Sequence, residues 1–157
     1  KVHPNPDSLE IIQDKTKQKQ LYADHNIHTS RFEMGAGRAG FEDAQERWQL
    51  PFGWKAATGG YDGFGVVVCR EEADKALIPD APGMLEAFVD FELEVSVIGA
   101  RDANGEVKTC RVAGQRFPPA DNPVDYVLVR HVLSSELQKK ANDVAIDTAK
   151  AAENGEG

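Results

Sequence analysis

The chain has 157 residues, enough for one domain of ordinary size or two small ones, and 41% of them are hydrophobic, which is sufficient for a core. Its formal net charge of −8 argues against general nucleic-acid binding, which depends on neutralising phosphates. The two cysteines are too few for a disulfide framework, and no stretch resembles a membrane span or a secretory signal. The sequence therefore predicts a cytoplasmic protein without a membrane partner.

In the first half of the chain, helices and strands are predicted to alternate. The first helix begins at Asn5, because a capping asparagine, a proline and an acidic residue follow one another there. It is expected to run to about Asp24, and Asn26 can end it in the left-handed conformation. The later elements are a strand over 27–34, a helix from about Ala39 to Arg47, strands over Phe52–Ala56 and Val66–Cys69, a short helix over Glu71–Ala76 and a linker over Pro79–Gly83.

The second half is predicted to be mainly strands followed by one long helix. Asn104-Gly105 is a strong signal for a hairpin turn. Ser135 and Gln138 form a capping box that opens the last helix. The strands are Met84–Val89, two hairpin arms over Glu92–Arg101 and Glu106–Val112, and Val124–Val129. Together the elements predict an α+β fold with mainly antiparallel strands.

A glycine-rich segment separates two of the predicted strands. Gly59, Gly60, Gly63 and Gly65 follow shortly after Lys55. Glycine leaves backbone N–H groups uncovered, and successive N–H groups in such a turn can bind an anion. The lysine adds a charge suited to phosphate. The segment lacks the Gly-Lys-Ser/Thr ending of a Walker loop, so a phosphate site and an ordinary β-hairpin turn are about equally supported.

Charged side chains near this segment each allow two interpretations. Glu86, Glu92 and Glu94 share one side if their strand is continuous, where they accept hydrogen bonds from ribose or adenine or simply face solvent. Tyr61 and Asp62 project from a segment of small residues, so they are candidates for acid–base or substrate-orienting roles. The histidines show no metal-ligand spacing, and no metal ligand is predicted. Three lysines of the first helix contact phosphate or form an exposed helix face: Lys15, Lys17 and Lys19.

The order of these motifs resembles that of the ATP-grasp enzymes of purine synthesis. The resemblance is greatest to the 5-(carboxyamino)imidazole ribonucleotide synthases, which are ATP-dependent carboxylases of aminoimidazole ribonucleotide, and it spans most of residues 2–112. Its specific part is the run Gly59-Gly60-Tyr61-Asp62-Gly63 after Lys55. The supporting runs are His3-Pro4-Asn5-Pro6-Asp7, Ile12-Gln13-Asp14-Lys15, Gln18-Lys19, Glu86-Ala87-Phe88-Val89, Phe91-Glu92 and Glu94-Val95-Ser96-Val97.

The resemblance implies an ATP-grasp fold with an ATP site between two α+β subdomains. Residues 1–26 would be a connecting helix from a preceding N-terminal domain. Residues 27–83 would form the lid subdomain, and residues 84–157 the first, incomplete part of the C-terminal ATP-grasp subdomain. We therefore expect the chain to be a fragment of a longer protein, with the magnesium-binding acids in a following segment.

The resemblance also implies a reaction and its ligands. ATP would activate bicarbonate to carboxyphosphate, and the carboxyl group would pass to the amine of aminoimidazole ribonucleotide, with Mg²⁺ neutralising the phosphates. The implied partners are these small molecules, with no nucleic acid, and the full-length family is compatible with a homodimer. The resemblance implies that Lys15 and Lys55 contact the ATP phosphates, under a lid that contains Gly60 and Gly63. It implies that Glu86, Ala87 and Val89 contact adenine and that Glu94 contacts ribose. Tyr61 and Asp62 would face the imidazole substrate.

The chain departs from this family at several polar positions. Family members usually carry Thr-Arg where Ala56-Ala57 stand, and basic residues where Phe64 and Val132 stand. They also carry a glutamate near the position of Gly114. These departures leave two alternatives to the carboxylase: a nucleotide-binding module without catalysis, and a structural or interaction module that keeps the ATP-grasp fold.

Overall fold

The computed structural model describes residues 5–37, 39–60, 64–116, 126–128 and 133–152. The chain forms two compact units: unit 1 comprises Lys1–Gln20 and Thr29–Asp90, and unit 2 comprises Leu21–His28 and Phe91–Gly157. The described helices are α1 (Pro6–Gln13), α2 (Lys15–Asp24), α3 (Ala39–Arg47) and α4 (Ser135–Ala151), with a 3-10 helix over Glu72–Leu77. The described strands are β1 (Phe32–Ala36), β2 (Phe52–Ala56), β3 (Val66–Cys69), β4 (Pro82–Ala87), β5 (Glu94–Ser96), β6 (Gly99–Arg101), β7 (Val107–Thr109), β8 (Ala113–Arg116) and β9 (Tyr126–Leu128).

Unit 1 is built on a four-stranded antiparallel sheet in the order β1-β4-β2-β3. Side chains alternate along β2, so Phe52 and Trp54 are buried on one face whereas Lys55 lies on the other. Trp54 is opposite Leu85 of β4, which is also fully buried. This face joins a core cluster that also contains Phe41, Ala44, Trp48, Cys69 and Ile78. Lys55 and Glu86 therefore lie on the opposite face of the sheet.

Unit 2 contains a three-stranded antiparallel sheet in the order β5-β8-β9 and a two-stranded hairpin of β6 and β7. The hairpin turns where the Asn-Gly signal predicts it, and Gly105 has a φ of +86°. The Asp102 carboxylate closes the turn by accepting hydrogen bonds from the N–H groups of Asn104 and Glu106, each 2.9 Å long. In both units the described strands pair only in the antiparallel sense, which confirms the predicted α+β class. None of the described helices has the length and apolarity needed to cross a membrane.

The first helix is broken, and the prediction of one helix to Asp24 is wrong. Asp14 has extended backbone angles between α1 and α2. Its carboxylate accepts hydrogen bonds from the Thr16 N–H at 2.8 Å, the Thr16 hydroxyl at 2.6 Å and the Lys17 N–H at 3.3 Å. An acidic side chain that binds the first free N–H groups starts a new helix at this point.

Several other boundaries differ from the predicted ones. Strand β1 begins five residues later than the strand predicted over 27–34, and β4 starts within the predicted linker. Strand β4 ends before β5 begins, so Glu86, Glu92 and Glu94 do not share one continuous strand. Helix α4 is capped by Ser134, whose hydroxyl accepts the Leu137 N–H at 3.2 Å, and not by Ser135. The predicted hairpin arm over Glu92–Arg101 is divided into β5 and β6, which pair with β8 and β7. The arm predicted over Glu106–Val112 is shorter, since β7 ends at Thr109.

The predicted subdomain boundary at 83/84 falls inside β4, a strand that pairs with both β1 and β2. Unit 1 accordingly extends to Asp90.

Candidate functional site

On the face of the unit 1 sheet opposite the core cluster, one carboxylate lies between two lysines. Glu86 of β4 is opposite Gly53 of β2, so its side chain shares a face with Lys55, two residues further along β2. The Lys55 Nζ lies 2.6 Å from the Glu86 Oε2. The Lys19 Nζ, from α2, lies 2.5 Å from the Glu86 Oε1, and the Ser30 hydroxyl donates a hydrogen bond to the same oxygen.

These contacts keep Glu86 ionised. Burial raises the pKa of the carboxyl group, but the contacts with Lys19, Lys55 and Ser30 outweigh burial and lower the pKa from its ordinary 4.5 to about 2. The group therefore remains a carboxylate at neutral pH and can act only as a hydrogen-bond acceptor. Such an acceptor suits a ligand that presents an N–H or O–H group.

Lys19 is a buried cation. Its side chain is only 10% exposed, and its ammonium group also donates to the hydroxyls of Thr29 and Ser30, the latter at 2.9 Å. The ammonium group lies 5.8 Å from the centre of the Phe32 ring. The interpretation that these lysines form an exposed helix face is therefore wrong for Lys19. Lys17, however, does lie at the surface.

Lys15 connects α2 with the glycine-rich segment. Its backbone N–H donates to the Ala57 carbonyl at 2.8 Å, and its ammonium group donates to the Gly60 carbonyl at 3.2 Å. The segment is closed by a 2.8 Å hydrogen bond from the Ala56 N–H to the carbonyl of Gly65, whose φ of +76° favours glycine. An ammonium group thus lies beside the segment that the sequence associates with an anion.

The other predicted site residues lie in both units. Ala87 ends β4, and its N–H donates to the Arg31 carbonyl at 2.9 Å, so this N–H is already used. Val89 follows β4 and is 55% exposed. Glu94 is the first residue of β5 in unit 2 and is partly exposed. Three predicted site residues lie outside the described residues: Tyr61, Asp62 and Gly63.

The sequence alone did not indicate that Lys19 and Ser30 contact Glu86. One signal was available, because Lys19 comes four residues after Lys15 and both belong to the same helix face. The spacing shows that the two lysines point the same way, but not that this face meets the sheet. The contact itself depends on how the first residues of α2, which belong to unit 1, pack on the sheet.

Among the described residues, the lysines can bind an anionic ligand and the Glu86 carboxylate can accept a hydrogen bond from it, but no metal centre is present. Lys55 is 38% exposed and lies on the strand that enters the glycine-rich segment. Within the part of the chain that the structure describes, no group of three or more His, Cys, Asp or Glu side chains is placed to hold a metal ion. The arrangement is suited to a polyanion that also carries a hydrogen-bond donor.

Comparisons of the sequence with protein families and with curated proteins agree on one family. The ATP-grasp domain family matches residues 20–154. The chain is 36% identical over 111 residues to the N5-carboxyaminoimidazole ribonucleotide synthase of Pseudomonas aeruginosa, an alignment that covers 68% of this chain and 31% of that protein. It is 29% identical over 150 residues to the synthase of the same name from Bacillus subtilis, which covers 90% of this chain and 38% of that protein. The chain thus spans about a third of the length of these curated relatives.

Solved structures resemble the chain over most of its length. The crystal structure of an ADP complex of N5-carboxyaminoimidazole ribonucleotide synthetase superposes with a TM-score of 0.80 and 31% identity, over 90% of this chain and 38% of that one. The synthetase from Thermotoga maritima also superposes with a TM-score of 0.80, at 27% identity, over 98% of this chain and 38% of that one.

Proposed function

The chain belongs to the ATP-grasp family, and from that premise we propose that it is the nucleotide-binding part of an enzyme that carboxylates 5-aminoimidazole ribonucleotide with bicarbonate and ATP in purine biosynthesis. The observation that carries the proposal is the pair of Lys55 and Glu86 on neighbouring strands, 2.6 Å apart, where β2 enters the glycine-rich segment. The lysine supplies charge for phosphate and the carboxylate an acceptor for the base. The name of the relatives, which share up to 36% of aligned residues, supports the choice of substrate.

We assign roles to this chain's residues on that basis. Lys15 and Lys55 bind the triphosphate, and the ionised Glu86 accepts a hydrogen bond from adenine. Glu94 is assigned to ribose, and Ala87 and Val89 line the base. ATP phosphorylates bicarbonate, which gives carboxyphosphate and ADP. The carboxyl group then passes to the amine of the imidazole substrate, to which Tyr61 and Asp62 are assigned, and inorganic phosphate and a proton are released. Mg²⁺ would neutralise the phosphates, with no ligand to it assigned among this chain's residues.

The assignment of partners belongs to the same proposal. ATP, bicarbonate and the aminoimidazole ribonucleotide are the partners we assign, with no nucleic acid and a cytoplasmic location. A homodimer of the full-length protein is compatible with this assignment.

A nucleotide-binding module without catalysis is the second candidate. Two described positions favour it. Ala57 stands where the family carries an arginine, and it is 7% exposed, with its N–H donating to the Pro82 carbonyl at 2.9 Å. Phe64 stands where the family carries a basic residue, and it is 67% exposed. Both substitutions remove positive charge from the ends of the glycine-rich segment.

Nucleotide binding is tested by thermal unfolding. We expect ATP or ADP to raise the melting temperature, because a ligand at 100 times its dissociation constant stabilises the folded state by about 2.7 kcal/mol. Lys55→Met should abolish the rise, since it removes a phosphate-binding charge. The matched control is Lys108→Met, which changes an 80% exposed lysine of unit 2 and should leave the rise unchanged. A rise that survives Lys55→Met would exclude the role given to Lys55.

A second measurement separates the two candidates. In the full-length protein, ADP release that requires both bicarbonate and aminoimidazole ribonucleotide supports the carboxylase. A melting-temperature rise without such release supports the binding module. If neither is observed, the chain has kept the ATP-grasp fold for a structural purpose.

A further inference from the structure

The two oxygens of Glu86 have unequal surroundings. Oε1 meets the Lys19 ammonium group and the Ser30 hydroxyl. Oε2 is buried, and although Lys55 lies 2.6 Å away, none of the described residues gives it a hydrogen bond of ordinary geometry. Oε1 therefore has two hydrogen-bonding partners, whereas Oε2 is stabilised only by the charge of Lys55.

The two lysines also differ in how firmly they are held. Lys19 is 10% exposed and is fixed by Thr29, Ser30 and the Phe32 ring in addition to Glu86. Lys55 is 38% exposed and lies at the entrance to the glycine-rich segment. A long side chain that is partly in solvent can change partner at little cost, whereas a buried one that binds several acceptors cannot.

We propose that Lys19 is a positioning residue for nucleotide binding: together with Ser30 it holds Oε1 of Glu86, so that Oε2 is free to accept a hydrogen bond from the nucleotide base once Lys55 moves to the phosphates. This inference rests on the proposed nucleotide site. Lys19 itself touches no phosphate. It keeps the charge of Glu86 compensated after Lys55 has left.

The main test compares three variants in the full chain. Lys19→Met removes the charge, Lys19→Arg keeps it, and Lys17→Met changes an exposed lysine of the same helix as a control. We expect ATP and ADP to bind Lys19→Met about tenfold more weakly, because a charged hydrogen-bond partner of the acceptor is lost. Lys19→Arg should restore most of the affinity, and Lys17→Met should bind like the unaltered chain. Equal affinity for Lys19→Met and the unaltered chain would overturn the proposal.

The pH dependence of nucleotide affinity distinguishes positioning from a general structural effect. The charged groups that face Glu86 are Lys19 from α2 and Lys55 from β2, and the neutral Ser30 precedes β1. In the unaltered chain Glu86 stays ionised, so its state does not change between neutral and mildly acidic pH. In Lys19→Met the pKa of Glu86 should rise, and nucleotide affinity should fall as the solution is acidified. A pH profile identical to that of the unaltered chain would count against positioning.

Two further measurements cover the remaining outcomes. If the unaltered chain binds no nucleotide, the proposed function fails, and with it the positioning role. Carbon-13 titration of the Glu86 carboxyl group then tests only the contact between Lys19 and Glu86. An unchanged pKa of Glu86 in Lys19→Met refutes this contact, and a raised pKa supports it. If Lys19→Met does not fold, Ser30→Ala removes the other donor to Oε1. A several-fold loss of affinity then supports the proposal, and unaltered affinity contradicts it.

Discussion

At the scale of residues, Glu86 illustrates what neighbouring positions in the sequence can and cannot reveal. Its place on a strand and that of Lys55 before the glycine-rich segment follow from local patterns, and the two strands do pair. Lys19 is distant from Glu86 in the sequence, and its helix contains several other lysines. Its burial could therefore not be predicted from composition or spacing. Packing of the first residues of α2 against the sheet face within unit 1 brings this lysine within 2.5 Å of the carboxylate.

Replacing Glu86 tests the electrostatics of this cluster. Glu86→Gln is expected to lower the free energy of unfolding by about 3 kcal/mol near neutral pH, because it leaves a buried lysine without its counter-charge. Since the pKa of Glu86 is about 2 in the folded chain and 4.5 ordinarily, its stabilisation is complete above pH 4.5 and disappears as the pH falls towards 2. Urea unfolding at about pH 7 and about pH 3.5 should therefore show a smaller difference between variant and parent at the lower pH.

The control is Glu106→Gln, which breaks a pair exposed at the surface of unit 2. It should change the free energy of unfolding by less than about 1 kcal/mol at either pH. A Glu86→Gln penalty that does not depend on pH would contradict the assigned ionisation.

At the scale of elements, the break between α1 and α2 positions Lys15 and Lys19. The sequence predicts the start of the first helix correctly, since the Asn5 side chain accepts the Ser8 N–H at 2.7 Å. It also contains the second signal, because aspartate is a preferred helix cap. The break is hard to detect in the sequence because residues 13–20 contain no apolar side chain whose spacing could mark the end of one helix and the start of the next. Lys15 comes directly after the break and so donates its N–H to Ala57.

Removing this cap should destabilise α2. Asp14→Ala is expected to cost about 1 kcal/mol, because the N–H groups of Thr16 and Lys17 lose their acceptor. Amide hydrogen exchange should accelerate at these two positions. Asp143→Ala, which removes an exposed carboxylate within α4, should change stability by less than about 0.5 kcal/mol. Similar losses from the two substitutions would argue against a capping role.

At the scale of the whole molecule, the class of fold could be predicted and the order of the strands could not. The apolar residues on each side of the glycine-rich segment identify β2 and β3 with the bounds observed, and the helix over Ala39–Arg47 is confirmed. Strand β4, however, inserts between β1 and β2 although it follows both in sequence. Such pairing depends on contacts between distant residues, which local periodicity does not contain.

The central place of β4 leads to a prediction for the core of unit 1. Leu85→Ala is expected to lower the free energy of unfolding by about 3 kcal/mol, because Leu85 is fully buried and its removal leaves a cavity. The matched control is Leu77→Ala, since Leu77 is 66% exposed, and its effect should stay within about 0.5 kcal/mol. Denaturant titration measures both, and comparable effects would mean that Leu85 is not part of the core.

Both tryptophans of the chain belong to the core cluster of unit 1. Trp48 packs edge-on against Phe52 with ring centres 6.0 Å apart, the Arg31 guanidinium lies 4.1 Å from the centre of the Trp48 ring, and Trp54 is 1% exposed. Indole emission is therefore an optical signal from one unit alone. Unfolding of unit 2 alone would leave this fluorescence unchanged and would be detected only by a backbone signal such as far-UV circular dichroism. Comparing the fluorescence melting curve with the circular dichroism melting curve therefore shows whether the two units unfold together.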